Sequence, residues 1–224
     1  MNQKGEKILA VIIARGGSKS IPGKNLLDFK GKPLVAWPIE LAKSVSQIDR
    51  VIISTDSADI AETAKKYGAE VPFMRPAELA TDDAPTLPVL QHAVKFLEEN
   101  QNFKADIILL FYPTSPMLSR SRVEEALLML ESSDCNSVVS VVEDHGRFWE
   151  KTEGAFKVFY PKDRLNRQYF QPLYRENGAI YFSRYVVLMN QNKIIDESAV
   201  KLLVMAPDES VDIDNWADLA KAKR

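Results

Sequence analysis

Residues 7–26, KILAVIIARGGSKSIPGKNL, join an apolar run directly to a loop of glycines, small hydroxyls and cations. The first part, Ile8 to Ala14, is apolar and rich in β-branched residues, which predicts a buried strand. The loop that follows carries Arg15, Lys19 and Lys24. In α/β folds, a buried strand that ends in such a loop presents backbone N–H groups to phosphate. The stretch therefore predicts a phosphate-binding loop at the end of a central strand.

The composition restricts the class of protein. The 224 residues are 46% hydrophobic and 27% charged, which fits one α/β domain with a substantial core. A net charge of −2 gives no indication of a nucleic-acid or anionic membrane partner. The single cysteine, Cys135, excludes an intramolecular disulfide and fits a reducing cytoplasm. No apolar run approaches the ~20 residues that span a bilayer, and we expect a cytoplasmic protein.

The order of apolar runs predicts the architecture. Strand-like and helical patterns alternate along most of the chain, including a short strand expected at Val71–Met74, which indicates a mostly parallel sheet with helices on both faces. Ligands of such sheets bind beyond the carboxyl ends of the strands, where polar segments at 15–25, 56 and 112–116 would meet. From about 143 to 178 the alternation stops and aromatic residues mix with cations. Such an excursion is typical of either a lid or an oligomer interface.

The spacing of the loop excludes two common phosphate motifs. There is no GxGxxG, and five residues separate Gly17 from Gly23 where a Walker A loop has four. Asn25 also follows Lys24 in place of Ser or Thr. A loop with a leading Arg and a trailing Lys-Asn suits a nucleoside triphosphate whose pyrophosphate is the leaving group. Arg15 and Lys24 would neutralise charge on the departing oxygens. The alternative is a glycine turn flanked by surface cations.

Several short motifs, in order along essentially the whole chain, resemble the CMP-sialate synthetases, the cytidylyltransferases that activate nine-carbon 2-keto sugar acids. These motifs are Ala14–Lys19, Ile21–Asn25, Ser54–Asp56, Arg75–Leu79, Pro113–Pro116, Asn177–Tyr181 and Ser210–Asp214. The resemblance implies a Rossmann-like fold of the nucleotide-diphospho-sugar transferase type. It also implies a homodimer, in which an excursion of a single domain (residues 1–224) reaches into the partner's active site.

The resemblance assigns the nucleotide side of the site. It implies that Arg15, Ser18, Lys24 and Asn25 contact the CTP phosphates and ribose. Cytosine and ribose would be contacted by Arg75, Thr86 and the backbone near Ala84. For Arg75, the alternative is a residue that caps a sheet edge.

Two carboxylates near the C-terminus suggest a metal site. Asp212 and Asp214 are two residues apart, so in extended chain they point to one face and can share a cation. Mg²⁺ needs few protein carboxylates when phosphate oxygens complete its coordination, and the resemblance assigns the same pair to the metal. The alternative is that Asp214 or Asn215 caps the last helix. Asp56 also ends a strand and is a minor candidate, either for the metal or for holding a loop.

The acceptor side departs from the family pattern. The resemblance places Arg167, Arg175 and Asn177 there, with Arg167 binding the sugar carboxylate in a two-pronged pair across the dimer. For Arg175, the alternative is an interface ion pair. The family's usual Gln before Pro-Thr-Ser-Pro is Tyr112, and its aromatic pair corresponds to Ile195 and Asp196. These changes favour a legionaminic- or pseudaminic-type acid over common sialic acid.

The sequence therefore predicts an Mg²⁺-dependent enzyme that joins CMP from CTP to the anomeric hydroxyl of a nonulosonic acid. Three alternatives remain open: a sugar nucleotidyltransferase with another base or an eight-carbon acid, a nucleotide-binding paralogue without turnover, and a scaffold organised by the aromatic excursion.

Overall fold

A computed structural model describes residues 4–131, 134–159, 166 and 171–223. The strands are β1 (Ile8–Ile13), β2 (Asp28–Phe29), β3 (Lys32–Pro33), β4 (Arg50–Ser54), β5 (Ile107–Phe111), β6 (Ser137–Asp144), β7 (Phe148–Thr152), β8 (Ala155–Phe159), β9 (Leu173–Arg184) and β10 (Val200–Val204). The α-helices are α1 (Ala36–Ser44), α2 (Ala58–Lys66), α3 (Thr86–Gln101), α4 (Arg120–Glu131) and α5 (Trp216–Ala222). Short 3₁₀ turns lie at Lys24–Leu26 and Ala77–Leu79, and a π-helical turn at Val186–Asn190.

The central sheet has six strands in the order β10-β6-β9-β5-β1-β4. Strand β1 runs parallel to both of its neighbours, and β10 runs parallel to β6. Strand β9 lies antiparallel between β5 and β6. The prediction of a mostly parallel sheet is therefore confirmed, with β9 as the exception.

Helices cover both faces of the sheet because strand β1 is apolar on both of its faces. Ile8, Ala10 and Ile12 belong to one buried cluster, which includes side chains of α1, α2 and α4. Leu9 and Val11 belong to a second cluster, with side chains of α3 and the π-helical turn. Successive side chains of a strand alternate between faces, so a continuous apolar run requires a covering layer on each side.

A third, smaller cluster connects the phosphate loop to the last helix. Ile21 of the loop, Phe29 of β2 and Leu34 pack against Ile213 and Leu219, which is on α5. This packing brings the C-terminal segment beside the phosphate loop.

The sheet extends into the segment where the sequence pattern breaks. Strand pairing continues from Val141 opposite Glu176 to Asp144 opposite Leu173. Beyond it, β7 and β8 form an antiparallel hairpin. Arg167 lies outside the described residues.

One local detail differs from the sequence predictions. No strand forms at Val71–Met74; only Glu70 bridges to Ile52, beside the edge strand β4. Pro38 lies within the first turn of α1, where backbone N–H groups have no partner inside the helix, so the helix forms despite the proline. No helix among the described residues has the length and apolar character needed to cross a membrane.

Candidate active site

A cavity of about 420 Å³ opens where β1 and β5 end. Its lining includes nine residues predicted from the sequence: Arg15, Lys24, Asn25, Arg75, Ala84, Thr86, Tyr112, Asp212 and Asp214. It also includes Ile13, Leu79, Thr81, Asp82, Val89, Pro113, Thr114, Gly178 and Tyr181. The loops that leave the carboxyl ends of the parallel strands therefore meet at one site, as α/β topology requires.

The phosphate loop is held by side chains at both of its ends. The Gly16 N–H donates to Asp56 Oδ1 at 2.8 Å. A Cβ on Gly16 would lie 3.0 Å from the Ser57 Cβ, a tighter contact than most, so this close approach favours glycine. At the other end, the buried Asn25 amide donates to the Arg15 carbonyl oxygen at 2.8 Å. Asp56 thus holds the loop, and Asn25 closes it from inside.

Arg75 is a buried cation that faces the cavity. The residue is only 5% exposed, and its guanidinium donates to both the hydroxyl and the carbonyl oxygen of Ser54. Among the described residues no carboxylate lies within 4.0 Å of it. Burial lowers the pKa of Arg75 to about 10, so the group stays charged at neutral pH. A desolvated cation without an ion-pair partner suits an anionic or strongly dipolar ligand.

Lys24 joins the phosphate loop to the carboxylate segment. Its ammonium donates to the Ile213 carbonyl oxygen and to Asp214 Oδ1, both at 3.1 Å. Its side chain is 13% exposed, whereas that of Asp214 is 67% exposed. The Ile213 N–H donates to the Thr114 carbonyl oxygen at 2.8 Å, which fixes this segment against the end of β5. The cation and the acidic pair therefore share one edge of the cavity.

Asp212 has the properties of a ligand for a cation. Its Oδ1 is buried and accepts no hydrogen bond from a described group. Burial raises the pKa of Asp212, and the charge of Asp214 raises it further. Among the described residues, no group of three or more His, Cys, Asp or Glu side chains could hold a metal with protein ligands alone. The two carboxylates fit Mg²⁺ whose other ligands are phosphate oxygens and water.

Asn215, and not Asp214, caps the last helix. The Asn215 side chain accepts from the N–H groups of Ala217 and Asp218, and it forms a capping box with Asp218 at the start of α5. Because Asn215 supplies the cap, Asp214 is left to face the cavity.

Gly178 and Asn177 shape the edge beside Asp212. Gly178 has φ +76°, and a Cβ there would lie 3.3 Å from Asp212 Oδ2. The buried Asn177 amide donates to Ser210 Oγ at 2.8 Å and accepts from the Ser140 hydroxyl. Asn177 does not line the cavity, and it holds the segment that carries Asp212.

Two tyrosines, Tyr112 and Tyr181, form part of the cavity wall. The Tyr112 hydroxyl lies 3.1 Å from Thr86 Oγ1, and the Tyr112 ring packs edge-to-face with Tyr181 at 6.3 Å. Tyr181 donates to Glu176 Oε2 at 2.8 Å. Burial raises the pKa of both phenols, so both are neutral donors at physiological pH.

Besides Asn177, four predicted residues do not line the cavity. Ser18 is in the phosphate loop but does not line the cavity, and Arg175 is 63% exposed and pairs with Asp144 at 3.6 Å. Ile195 and Asp196 lie near the amino end of β6, where the Asp196 N–H donates to Ser137 Oγ. The cavity lies at the other end of the parallel strands. Asn136 and Ser198 already donate to the Asp196 carboxylate, and these bonds lower its pKa to about 2. The structure therefore does not bring Ile195 or Asp196 to the site, and we do not include them in it.

Sequence reasoning missed four polar residues of the cavity: Thr81, Asp82, Thr114 and Tyr181. Thr114 and Tyr181 lie inside motifs that the resemblance singles out, so the motifs could have indicated them. Thr81 and Asp82 lie in a polar loop with no such signal.

Comparison with known proteins agrees with this geometry. A family model described as cytidylyltransferase matches residues 9–214. The pseudaminic acid cytidylyltransferase of Campylobacter jejuni subsp. jejuni serotype O:23/36 (strain 81-176) is 32% identical over 222 residues, covering 97% of this chain and 95% of the relative.

Two further similarities extend this agreement. The CMP-N,N'-diacetyllegionaminic acid synthase of Legionella pneumophila subsp. pneumophila is 33% identical over 224 residues, with 97% and 95% of the two chains covered. A solved structure of CMP:2-keto-3-deoxy-manno-octonic acid synthetase complexed with CTP superposes with a TM-score of 0.71 at 21% identity, covering 97% of each chain. The structural likeness supports the same fold.

Proposed function

Because the chain belongs to the cytidylyltransferase family, we propose that it transfers CMP from CTP to a nine-carbon 2-keto sugar acid. The anomeric hydroxyl oxygen forms a bond to the α-phosphorus as the bond from that phosphorus to the β-phosphate oxygen breaks. The hydroxyl proton is lost to solvent, and pyrophosphate leaves. The products are the CMP-sugar and pyrophosphate.

One observation carries this proposal. Two cations of the phosphate loop, Arg15 and Lys24, share a cavity with the buried Arg75 and with the carboxylates Asp212 and Asp214. A triphosphate needs several cations, and in-line displacement of pyrophosphate needs charge neutralised on both sides of the α-phosphate. Three cations that converge on one cavity beside an acidic pair suit that chemistry.

On the nucleotide side, Arg15, Ser18, Lys24 and Asn25 serve the triphosphate and ribose. Lys24 is the best placed to follow the leaving oxygens, because its ammonium is largely shielded from solvent and is already held at the acidic edge. Electrostatic interactions with the substrate gain strength in such a desolvated position.

Cytosine and ribose occupy the side of the cavity formed by Arg75, Thr86 and the backbone near Ala84. The Arg75 fork is fixed by its two bonds to Ser54, so it can donate to a carbonyl oxygen of the base without losing conformational freedom. A base that offers a carbonyl oxygen at that position is preferred to one that offers an amino group.

Mg²⁺ is held by Asp212 and Asp214, in keeping with the unpartnered buried Oδ1 of Asp212. The chemistry that the bound ion supplies is withdrawal of electron density from the α-phosphate and a lower pKa for the attacking hydroxyl. Asn177, Ser210 and Gly178 hold the segment and leave room for the carboxylate.

The acceptor lies beside the tyrosine wall. The Tyr112 hydroxyl can donate to a sugar, whereas the Tyr181 hydroxyl, which donates its proton to Glu176, can accept from one. The substitution at Tyr112 favours a legionaminic- or pseudaminic-type acid. Arg167 and Arg175 serve the acceptor carboxylate from the excursion, about residues 143–178, of the single domain.

The chain is active as a homodimer built through that excursion. The β7–β8 hairpin exposes large apolar side chains, including Phe156 at 66% and Trp149 at 54% exposure. An exposed aromatic face of this kind is typical of a protein interface, and a second copy would bring its own excursion to the acceptor side. We place the enzyme in the cytoplasm, where the free, buried Cys135 thiol stays reduced.

The test measures pyrophosphate release with each of four nucleoside triphosphates and a panel of eight- and nine-carbon 2-keto acids, with and without Mg²⁺. We expect release only with CTP, a nine-carbon acid and Mg²⁺. Release only with a sugar 1-phosphate would refute the proposal. CTP binding without release under any condition would favour the non-catalytic paralogue, and dimerisation without nucleotide binding would favour the scaffold.

A further inference from the structure

Asp82 places a carboxylate between two cations of the phosphate loop. Its Oδ1 contacts the Arg15 guanidinium and its Oδ2 contacts the Lys19 ammonium. Both oxygens of one carboxylate therefore engage the loop that the proposed function assigns to phosphate. The two bonds lower the pKa of Asp82, so the group is ionised at physiological pH.

The ion pairs of Asp82 connect the phosphate loop to a second segment of the cavity wall. Asp82 lies between the turn at Ala77–Leu79 and the start of α3 at Thr86, in a segment that lines the cavity. Its ion pairs attach that segment to the phosphate loop. The pairs are exposed at the mouth of the cavity, with 32% of the Arg15 side chain and 79% of the Lys19 side chain exposed.

The inner cations are free of this contact. Lys24 pairs with Asp214, and the Arg75 guanidinium bonds only to Ser54 among the described hydrogen bonds. The site therefore has an outer pair of cations that share the single charge of Asp82, and an inner pair that Asp82 does not contact. A ligand that reaches the outer pair must displace Asp82, whereas one that reaches only the inner pair need not.

We propose that Asp82 is a specificity-determining residue that occupies the sites of the outer phosphates in the nucleotide-free protein. It returns to Arg15 and Lys19 when pyrophosphate leaves. This inference rests on the proposed function for the identity of the displaced group, which is the β,γ-pyrophosphate portion of CTP. The carboxylate weakens the binding of any ligand that carries those two phosphates, and it promotes the release of pyrophosphate.

The test compares Asp82→Asn with Asp83→Asn. Asp83 is exposed, adjacent in sequence and in no ion pair with a described residue, so its variant makes the same change in net charge. Binding of CTP, CMP and inorganic pyrophosphate is measured by calorimetry. Since each exposed pair contributes little, we expect Asp82→Asn to tighten CTP and pyrophosphate by about 3- to 10-fold and to leave CMP within about twofold.

A second measurement follows the segment itself. Amide hydrogen exchange in residues 79–86 should be faster in nucleotide-free Asp82→Asn than in wild type, and pyrophosphate should raise the exchange of wild type towards the level of the variant. Asp83→Asn should match wild type in both assays.

Three results would overturn the inference. Weaker CTP binding in Asp82→Asn would make Asp82 a ligand contact. If Asp83→Asn binds CTP and pyrophosphate more tightly by the same factor, the effect comes from net charge alone. If Asp82→Asn binds CMP more tightly by the same factor as CTP, the effect comes from a looser cavity. If CTP fails to bind wild type while pyrophosphate binds Asp82→Asn more tightly, the inference stands and the proposed function falls.

Discussion

Replacing Arg75 by Met should stabilise the protein and reduce its stabilisation by CTP. At 5% exposure, Arg75 keeps its charge in a desolvated position, and Ser54 is the only described hydrogen-bond partner of its guanidinium. Burial lowers the pKa from 12.5 to about 10, and at about 1.4 kcal/mol per pKa unit this corresponds to a cost of about 3 kcal/mol. Methionine has a similar length, so it fills most of the space without the charge.

The net gain is smaller than this cost. The variant removes both guanidinium bonds to Ser54; the carbonyl oxygen keeps the hydrogen bond from the Ala14 N–H, but the hydroxyl loses its partner, and the two losses together cost about 1–2 kcal/mol. We therefore expect stabilisation by about 1 kcal/mol, or a Tm higher by about 2–4 °C for a chain of this size. The folded-state pKa is depressed, so the charge is unfavourable at every pH below about 10. The gain in the free energy of unfolding of Arg75→Met over wild type should therefore stay constant from about pH 6 to about pH 9.

The assay is thermal unfolding with and without CTP. At a CTP concentration of about 100 times Kd, wild type gains about 2.7 kcal/mol. Loss of a charged hydrogen bond to the ligand weakens binding by about 10- to 100-fold, which leaves Arg75→Met with about 0.4–1.5 kcal/mol of that gain.

Arg75→Lys serves as the control, because it retains the buried charge but loses the planar fork. It should show a lower Tm than wild type together with weak CTP binding. A nucleotide-free Arg75→Met protein that is less stable than wild type by more than about 1 kcal/mol, yet binds CTP normally, would refute the reasoning.

Three other substitutions test the rest of the cavity. Gly178→Ala should cost about 1–2 kcal/mol of stability and lower turnover, because φ is +76° and the new Cβ would lie 3.3 Å from Asp212 Oδ2; unfolding and steady-state rates measure the two effects. Asp212→Asn should raise the Tm at neutral pH while it weakens Mn²⁺ binding by at least about tenfold, measured by titration of the metal alone; unchanged metal affinity would contradict the assigned role. Tyr112→Phe removes the hydroxyl that bonds to Thr86 and should raise KM for the sugar acid by about 3- to 10-fold with KM for CTP unchanged; an effect on CTP alone would move Tyr112 to the nucleotide side.

The sequence was sufficient for features that depend on local chemistry. The apolar run of β1 requires two covering layers whatever follows it, and the glycines of the next loop allow the close approach seen at Gly16. The orientation of β9 was not predictable, because β9 follows a hairpin excursion where the other strands follow helices.

The positions of single residues in loops were less predictable from the sequence. Asp82 meets Arg15 across 67 positions of sequence, and a lone acid in a polar loop carries no periodic signal. Asp196 was assigned by its correspondence to an aromatic pair, but its carboxylate is satisfied locally by Asn136 and Ser198, which keeps it at the far end of the sheet. The site roles of Ser18 and Arg175 remain predictions.

The ion pair between Lys24 and Asp214 joins residues 190 positions apart. Contacts between distant parts of a chain carry the largest entropic cost of loop closure, so they tend to form late in folding. The strand and loop at the beginning of the chain can be in place while Asp212 and Asp214 are still unattached. We expect a partly folded chain to attract phosphate but not to consume nucleotide, because it lacks the acidic pair that is proposed to hold Mg²⁺. Competence for turnover then appears in a single step, when the last segment docks.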